Sequence, residues 1–207
     1  MMSFPPHTRY AGSIHLSDAP TACVFEHFVS QEEIDHLLRA GRDRAKPAQA
    51  IADNGVIGNT GRTGTVCWIP QRHDAVIAAL AERICAVVGL PLANTEPFQL
   101  VHYLPSQGYA PHFDGWNPDT EAGKHCMARG GQRLLTCLLY LNDVVGSGAT
   151  VFPKLRMGVD ARKGRMLLFH NCITGTADLH LDSVHAGMPI REGEKWVCNL
   201  WFRERNF

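Results

Sequence analysis

From Phe98 to its end the chain never holds a helical period for long. Apolar residues come instead in short runs rich in β-branched and aromatic side chains, at 98–104, 109–114, 133–142, 149–153, 165–170, 182–186 and 194–203. Asn142-Asp143, Gly146-Ser147-Gly148, Lys163-Gly164 and Glu192-Gly193 punctuate these runs at the density expected of a jelly roll or barrel. The first half reads differently. Ser30 followed by Glu33 is a capping-box signature, and Ile34, Leu37 and Leu38 repeat behind it at helical spacing, which predicts a helix near 31–42. A second helical pattern runs from about Asp74 to Val88, with Val76, Ile77, Leu80, Ile84, Val87 and Val88 on one face and Gly89, then Pro91, as the stop. Between them, residues 47–66 carry Gly55, Gly58, Gly61 and Gly64 among polar residues, a loop fit to act as a lid, leading into a short strand at Thr65–Ile69.

Helices first and strands afterwards predict an α+β fold: a double-stranded β-helix (jelly-roll) core over 96–207, buttressed by the helices and loop of 1–95. A chain of 207 residues with 45% hydrophobic content suits one such domain. Twenty basic side chains balance twenty acidic ones, so no net field recommends nucleic acid or an anionic membrane as partner. No apolar stretch approaches the roughly 18 residues of a membrane span, and Met1 to Tyr10 lacks the basic start and apolar run of an export signal. Seven cysteines without a C-x-x-C pair argue against a disulfide framework or a zinc knuckle. Reduced, mostly buried thiols in a cytoplasmic protein are the expectation.

His112-Phe113-Asp114 closes an extended run, where residues i and i+2 share a face and both side chains reach one ion. A third ligand must come from another strand. His185 lies in a short strand-like segment, Ser183 to Gly187, but eleven histidines leave His170, His180, His125 and His102 in competition. Two imidazoles and one carboxylate on one side of Fe(II) leave three positions open, enough for a bidentate 2-oxo acid and dioxygen together. A closed zinc site would want thiolates instead, and none is spaced for one.

A longer pattern narrows the choice. It runs Tyr103-Leu-Pro-Ser-Gln107-Gly108-Tyr109-Ala-Pro-His112-Phe-Asp114, then Gly130-Gly131-Gln132-Arg133, Thr136 and Tyr140-Leu141-Asn142-Asp143. It continues through Gly148-Ala-Thr150-Val-Phe152-Pro153, Lys163-Gly164, Phe169, His185-Ala-Gly187-Met-Pro189, Gly193-Glu-Lys195-Trp196 and Trp201. In this order the C-terminal half resembles the prolyl 4-hydroxylase family of 2-oxoglutarate oxygenases. Arg62-Thr63-Gly64 and Glu96-Pro-Phe-Gln99 extend the likeness over nearly the whole chain, weakest over residues 1–20.

The resemblance implies His185 as the third iron ligand beside His112 and Asp114, and Lys195 as the cation for the distal carboxylate of 2-oxoglutarate, with Arg191 as runner-up. A dianionic co-substrate needs such a cation, since an opposite-charge pair at 4 Å is worth about 4 kcal/mol at an effective dielectric of 20. Tyr103, Tyr140 and Thr150 match positions whose hydroxyls help bind 2-oxoglutarate; Tyr140 is equally readable as a core aromatic. Fe(II), 2-oxoglutarate and dioxygen are the implied cofactor and co-substrates, with succinate and CO2 as co-products and L-ascorbate as the reductant that rescues oxidised iron. Tyr109, Arg133 and Trp201 match the family's substrate groove, where aromatic rings and a guanidinium suit a polyproline-like peptide. Arg203 departs from the pattern, standing where some family members carry histidine. Residues 117–129, charged and roomy, read as a loop shaping specificity. Three functions follow: a prolyl hydroxylase of proteins or peptides, a hydroxylase of a free amino acid or other small metabolite, and a jelly-roll metal-binding or sensing protein without turnover.

Overall fold

A computed structural model describes residues 4–5, 7–48, 50–51, 57–58 and 61–207. In chain order its elements are β1 (Ile14–Asp18), β2 (Thr21–Phe25), α1 (Gln31–Gly41), β3 (Lys46–Pro47), β4 (Ala50–Ile51), β5 (Ile57–Gly58), β6 (Thr65–Ile69), α2 (Ala75–Val88), β7 (Phe98–Tyr103) and β8 (Tyr109–His112). There follow α3 (Glu121–Ala128), β9 (Arg133–Tyr140), β10 (Thr150–Phe152), β11 (Met157–Val159), β12 (Met166–His170), β13 (His185–Gly187) and β14 (Lys195–Arg203). No helix among the described residues is long and apolar enough to cross a membrane.

The two early helices begin where the side chains dictate. Ser30 Oγ accepts from the Glu33 amide at 3.2 Å while Glu33 Oε2 accepts from the Ser30 amide at 2.9 Å, so two otherwise orphaned donors are satisfied reciprocally. Asp74 caps α2 through the Ile77 amide, and Gly89 ends it at φ 76°, a left-handed conformation that costs glycine nothing. Ile34 and Leu37 of α1 and Ile77, Leu80, Ile84 and Val88 of α2 face one core, and Val76 and Val87 flank the buried stripe half-exposed.

That core lies against an eight-stranded sheet ordered β1-β2-β12-β9-β14-β7-β6-β3. Alternation along β14 sets its two faces: Trp196, Cys198, Leu200 and Phe202 join the helices, while Lys195, Val197, Asn199 and Trp201 turn toward a cavity. The opposite wall is a four-stranded sheet, β11-β10-β13-β8, and a second core of Val101, Leu138, Tyr140, Phe152, Leu167 and Phe169 fills the space between the sheets. This is the α+β double-stranded β-helix expected, with both sheets antiparallel.

The first 95 residues do more than buttress. β1 and β2 extend the large sheet beyond β12, and Thr21 to Phe25 are buried throughout, a strand without the alternation that betrays a half-exposed one. Two boundaries also shift. The run expected at 109–114 ends at His112, so Asp114 sits in a bend, and the run expected at 182–186 is a 3-10 turn followed by β13. The segment 117–129 is not simply a loop. It holds α3, started by Thr120, whose hydroxyl oxygen accepts from the Gly123 amide at 3.0 Å. With only Ala122 and Gly123 of α3 buried, no apolar stripe marks it in the sequence. The lid expected within 47–66 falls in part on residues outside those described.

Candidate metal centre and its cavity

His112 on β8 and His185 on β13 are direct cross-strand partners, and the bend after His112 brings Asp114 back beside both. The donor atoms of the three side chains lie within 4.8 Å of one another, the one such cluster of metal-ligand side chains among the described residues. His112 Nε2 stands 3.6 Å from Asp114 Oδ1, and His185 Nε2 stands 3.7 Å from Asp114 Oδ2.

Each ligand is aimed by a fixed hydrogen bond. The Nδ1 of His112 faces the Ala110 carbonyl at 2.9 Å and that of His185 faces the Ser183 carbonyl at 3.0 Å. A carbonyl only accepts, so both Nδ1 atoms carry the proton and both Nε2 lone pairs point into the cluster. Asp114 Oδ2 accepts from Thr136 Oγ1 at 2.7 Å and from Trp201 Nε1 at 2.9 Å, two residues paired across β9 and β14. Burial alone would raise the Asp114 carboxyl, but the imidazoles of His185 and His112 and the Arg133 guanidinium hold it well below the usual carboxylate range. Burial pushes His185 down to about 4, which leaves its imidazole neutral. A deprotonated carboxylate and two pre-aimed imidazoles are the donor set an iron(II) ion takes, with no thiolate in the cluster.

The triad opens into a cavity of about 980 Å³ between the sheets. One end is closed by Lys195, 3% exposed, whose Nζ donates to the Gly148 carbonyl at 2.6 Å and meets no carboxylate among the described residues. Burial pushes its amine down to about 8. Tyr103, the cross-strand partner of Lys195, and Thr150 line this end. Tyr140 does not: it is fully buried behind the wall, with its hydroxyl donating to Thr150 Oγ1 at 2.8 Å.

The other end is wider and aromatic. Tyr109 stacks on His112 with ring centroids 3.5 Å apart, and Trp201 leans on Trp68 at 5.9 Å. Arg133 lines this wall, but its Nε and Nη2 are held by the Glu96 carboxylate at 2.5 and 2.7 Å, and Nη1 faces the Asp114 carbonyl at 3.3 Å. Its hydrogen-bonding fork is therefore largely engaged within the protein. Arg203 lies behind it, donating to Glu96 at 2.8 Å and to the carbonyls of Cys126 and Arg129 at the end of α3. The departure from histidine at 203 thus supplies a helix C-cap.

The other sequence candidates lie elsewhere. His170 is hydrogen-bonded to Tyr10 on the helix side, His102 stacks on Trp196 and pairs with Glu194, and His180 accepts from the Asp182 amide. His125 belongs to α3, and Arg191 is exposed away from the cavity. Arg62, Trp68, Trp116, Gln99 and Asn199 also line the cavity without having been singled out for a role. Arg62 and Gln99 fall inside matched motifs, which was the available signal; Trp68 and Asn199 carried none.

Comparison with known proteins agrees with this geometry. The model of the 2OG-Fe(II) oxygenase superfamily matches residues 98–203. Probable prolyl 4-hydroxylase 6 of Arabidopsis thaliana is 33% identical over 214 residues, covering 93% of this chain and 72% of its own. A protein of Acanthamoeba polyphaga mimivirus that carries a prolyl 4-hydroxylase name is 38% identical over 146 residues, 70% of this chain, and the match spans 60% of that relative's length. Among solved structures, a viral collagen prolyl hydroxylase from Paramecium bursaria Chlorella virus-1, in complex with 2OG, superposes with a TM-score of 0.70 at 26% identity, over 88% of this chain and 95% of that one.

Proposed function

The chain belongs to the prolyl 4-hydroxylase family of the 2OG-Fe(II) oxygenase superfamily, and from that membership we propose that it is an Fe(II)- and 2-oxoglutarate-dependent dioxygenase that hydroxylates a prolyl residue of a peptide or protein. The observation that carries the reading is the pairing of a pre-aimed His112–Asp114–His185 set with a buried Lys195, without a counter-ion among the described residues, at the far end of the same cavity. When bound, iron and 2-oxoglutarate supply the oxidising chemistry, in which decarboxylation to succinate and CO2 accompanies insertion of one oxygen from O2 into an unactivated C–H bond.

The protein's own groups bind, orient and exclude water. The Lys195 ammonium holds the distal carboxylate of 2-oxoglutarate, with the hydroxyls of Tyr103 and Thr150 beside it. Tyr140 acts one bond further back, by fixing the Thr150 hydroxyl. Phe169 packs on the His185 ring at 4.7 Å and, with Leu138 and Val197, keeps the wall around the triad apolar. At the wide end Tyr109, Trp68, Trp116 and Trp201 line an aromatic wall suited to a polyproline-like chain whose own rings stack while its carbonyls accept hydrogen bonds. Arg62 stands among them, its Nη2 on Gln99 and its guanidinium over the Tyr109 ring at 5.1 Å. L-ascorbate belongs to the same reading, as the reductant that restores ferrous iron after turnover without substrate.

The test is incubation of a proline-rich peptide with the protein, Fe(II), 2-oxoglutarate and ascorbate in air, followed by mass spectrometry. Succinate formation matched by one added oxygen on proline is expected, and His185→Ala is expected to abolish both. Succinate formation with untouched peptides, and the added oxygen on a free amino acid or other small metabolite instead, would overturn the peptide substrate and leave the chemistry standing.

A further inference from the structure

Beside the triad lies a line of buried polar side chains that runs from the Asp114 carboxylate, through Thr136 on the cavity wall, to Asn171 behind it. Asn171 and Thr136 are its centre, 0% and 1% exposed. The Asn171 backbone is pinned at both ends: its amide donates to the Leu134 carbonyl at 2.8 Å, and its carbonyl accepts from the His180 amide at 2.9 Å.

The side chain controls a hydroxyl. Asn171 Nδ2 donates to Thr136 Oγ1 at 3.0 Å. A threonine hydroxyl has one proton, and the carboxylate of Asp114 at 2.7 Å is a stronger acceptor than the Asn171 amide oxygen at 3.4 Å. The amide donor occupies a hydroxyl lone pair and leaves the proton committed to Asp114 Oδ2. That oxygen then holds two donors, Thr136 and Trp201, which fixes the carboxylate plane and leaves Oδ1, the oxygen beside His112, with its lone pairs presented to the cluster.

The same residue reaches the third ligand through its backbone. Its carbonyl also accepts from Ser183 Oγ at 3.3 Å, the Ser183 amide donates to the His180 carbonyl at 2.9 Å, and the Ser183 carbonyl orients the His185 ring. We infer that Asn171 is a positioning residue of the metal centre, acting on Asp114 through the Thr136 hydroxyl and on His185 through the 180–183 turn. The inference rests on the reading of the triad as a metal site.

The test uses Co(II) alone, titrated into the full chain and followed by its visible absorption, with circular dichroism to monitor folding. Thr136→Val and Asn171→Ala are each expected to weaken Co(II) binding about tenfold, within the range for groups that orient metal ligands. The double variant is expected to lose about tenfold, not about a hundredfold, because without the hydroxyl the amide has nothing to orient. Thr136→Ser, which keeps the hydroxyl, is expected to restore the unaltered affinity. Full Co(II) affinity in Asn171→Ala, or losses that multiply in the double variant, would overturn the relay. If Asn171→Ala does not fold, equal affinities in Thr136→Val and Thr136→Ser overturn it instead. Failure of the unaltered protein to bind Co(II) would remove the metal centre itself and the inference with it.

Discussion

Lys195 and Arg133 both enter the cavity from adjacent strands of the large sheet, the lysine buried and the arginine largely so, and they solve the problem of a sequestered cation in opposite ways. Arg133 shares the Glu96 carboxylate with Arg203, an internal charge cluster that ties β9, β14 and the end of α3 together beneath the groove. Lys195 makes no ion pair among the described residues; its Nζ donates to one peptide carbonyl and lies over the Tyr103 and Tyr140 rings. A cation held without a counter-ion is costly unless a ligand brings one. The arginine end is thus charged for architecture, and the lysine end for a visitor.

If that contrast is right, removing Glu96 has the largest effect and is felt in stability. Glu96→Gln strands two guanidiniums and is expected to cost about 3–5 kcal/mol. At this chain length that is a fall of roughly 6–20 °C in Tm, read by thermal melting. Lys195→Ala is next, felt in binding. Affinity for 2-oxoglutarate, measured by calorimetry with Mn(II) in place of iron, should fall by about 2–5 kcal/mol while Tm stays level or rises. A lysine variant that melts early with full affinity would erase the distinction between the two ends.

The pH response sharpens it further. The Lys195 amine of the folded protein titrates near 8, against 10.5 for an ordinary lysine, so above pH 8 the anchor progressively loses its charge. Affinity for 2-oxoglutarate should drop between pH 7 and 9, by up to about tenfold per unit above 8, and Lys195→Arg should flatten the profile. The sign for stability is the reverse. Between about pH 8 and 10.5 the unfolded chain binds more protons at this residue than the folded one, so this contribution to stability of the ligand-free protein increases with pH across that window. The smallest effect belongs to the groove. Trp68→Ala removes a half-exposed ring at the wide end and should raise the KM for a prolyl peptide several-fold, about 1 kcal/mol, without moving 2-oxoglutarate affinity.

These contrasts were unequally legible in the sequence. The helix caps at Ser30 and Asp74 are written within three residues of the side chains that use them, and α1 and α2 follow almost to the residue. Six of the seven β-runs after Phe98 contain a strand at nearly the expected place, and the seventh, at 182–186, gives way to a turn before β13. β2 was hidden because both its faces are covered, and α3 because almost none of it is buried. At the site, H-x-D spacing and the order of the motifs pointed to His112, Asp114, His185 and Lys195. The side chains around them were not legible. Nothing near Arg133 in sequence shows that Glu96, 37 positions earlier, holds its guanidinium, and the two readings of Tyr140, ligand contact and core aromatic, stay level until its hydroxyl is seen on Thr150 Oγ1.

By itself the sequence determined the α+β order of elements, the helix termini and the kinds of side chain offered to a metal and a dianion, because each of those rests on neighbours within about ten residues. Tertiary structure decided which offers meet. The cross-strand register that sets His112 opposite His185, lays Thr136 beside Trp201 under Asp114 and sets Lys195 beside Tyr103 is fixed by packing between distant strands. A one-residue slip in any of them would turn every one of its side chains to the other face.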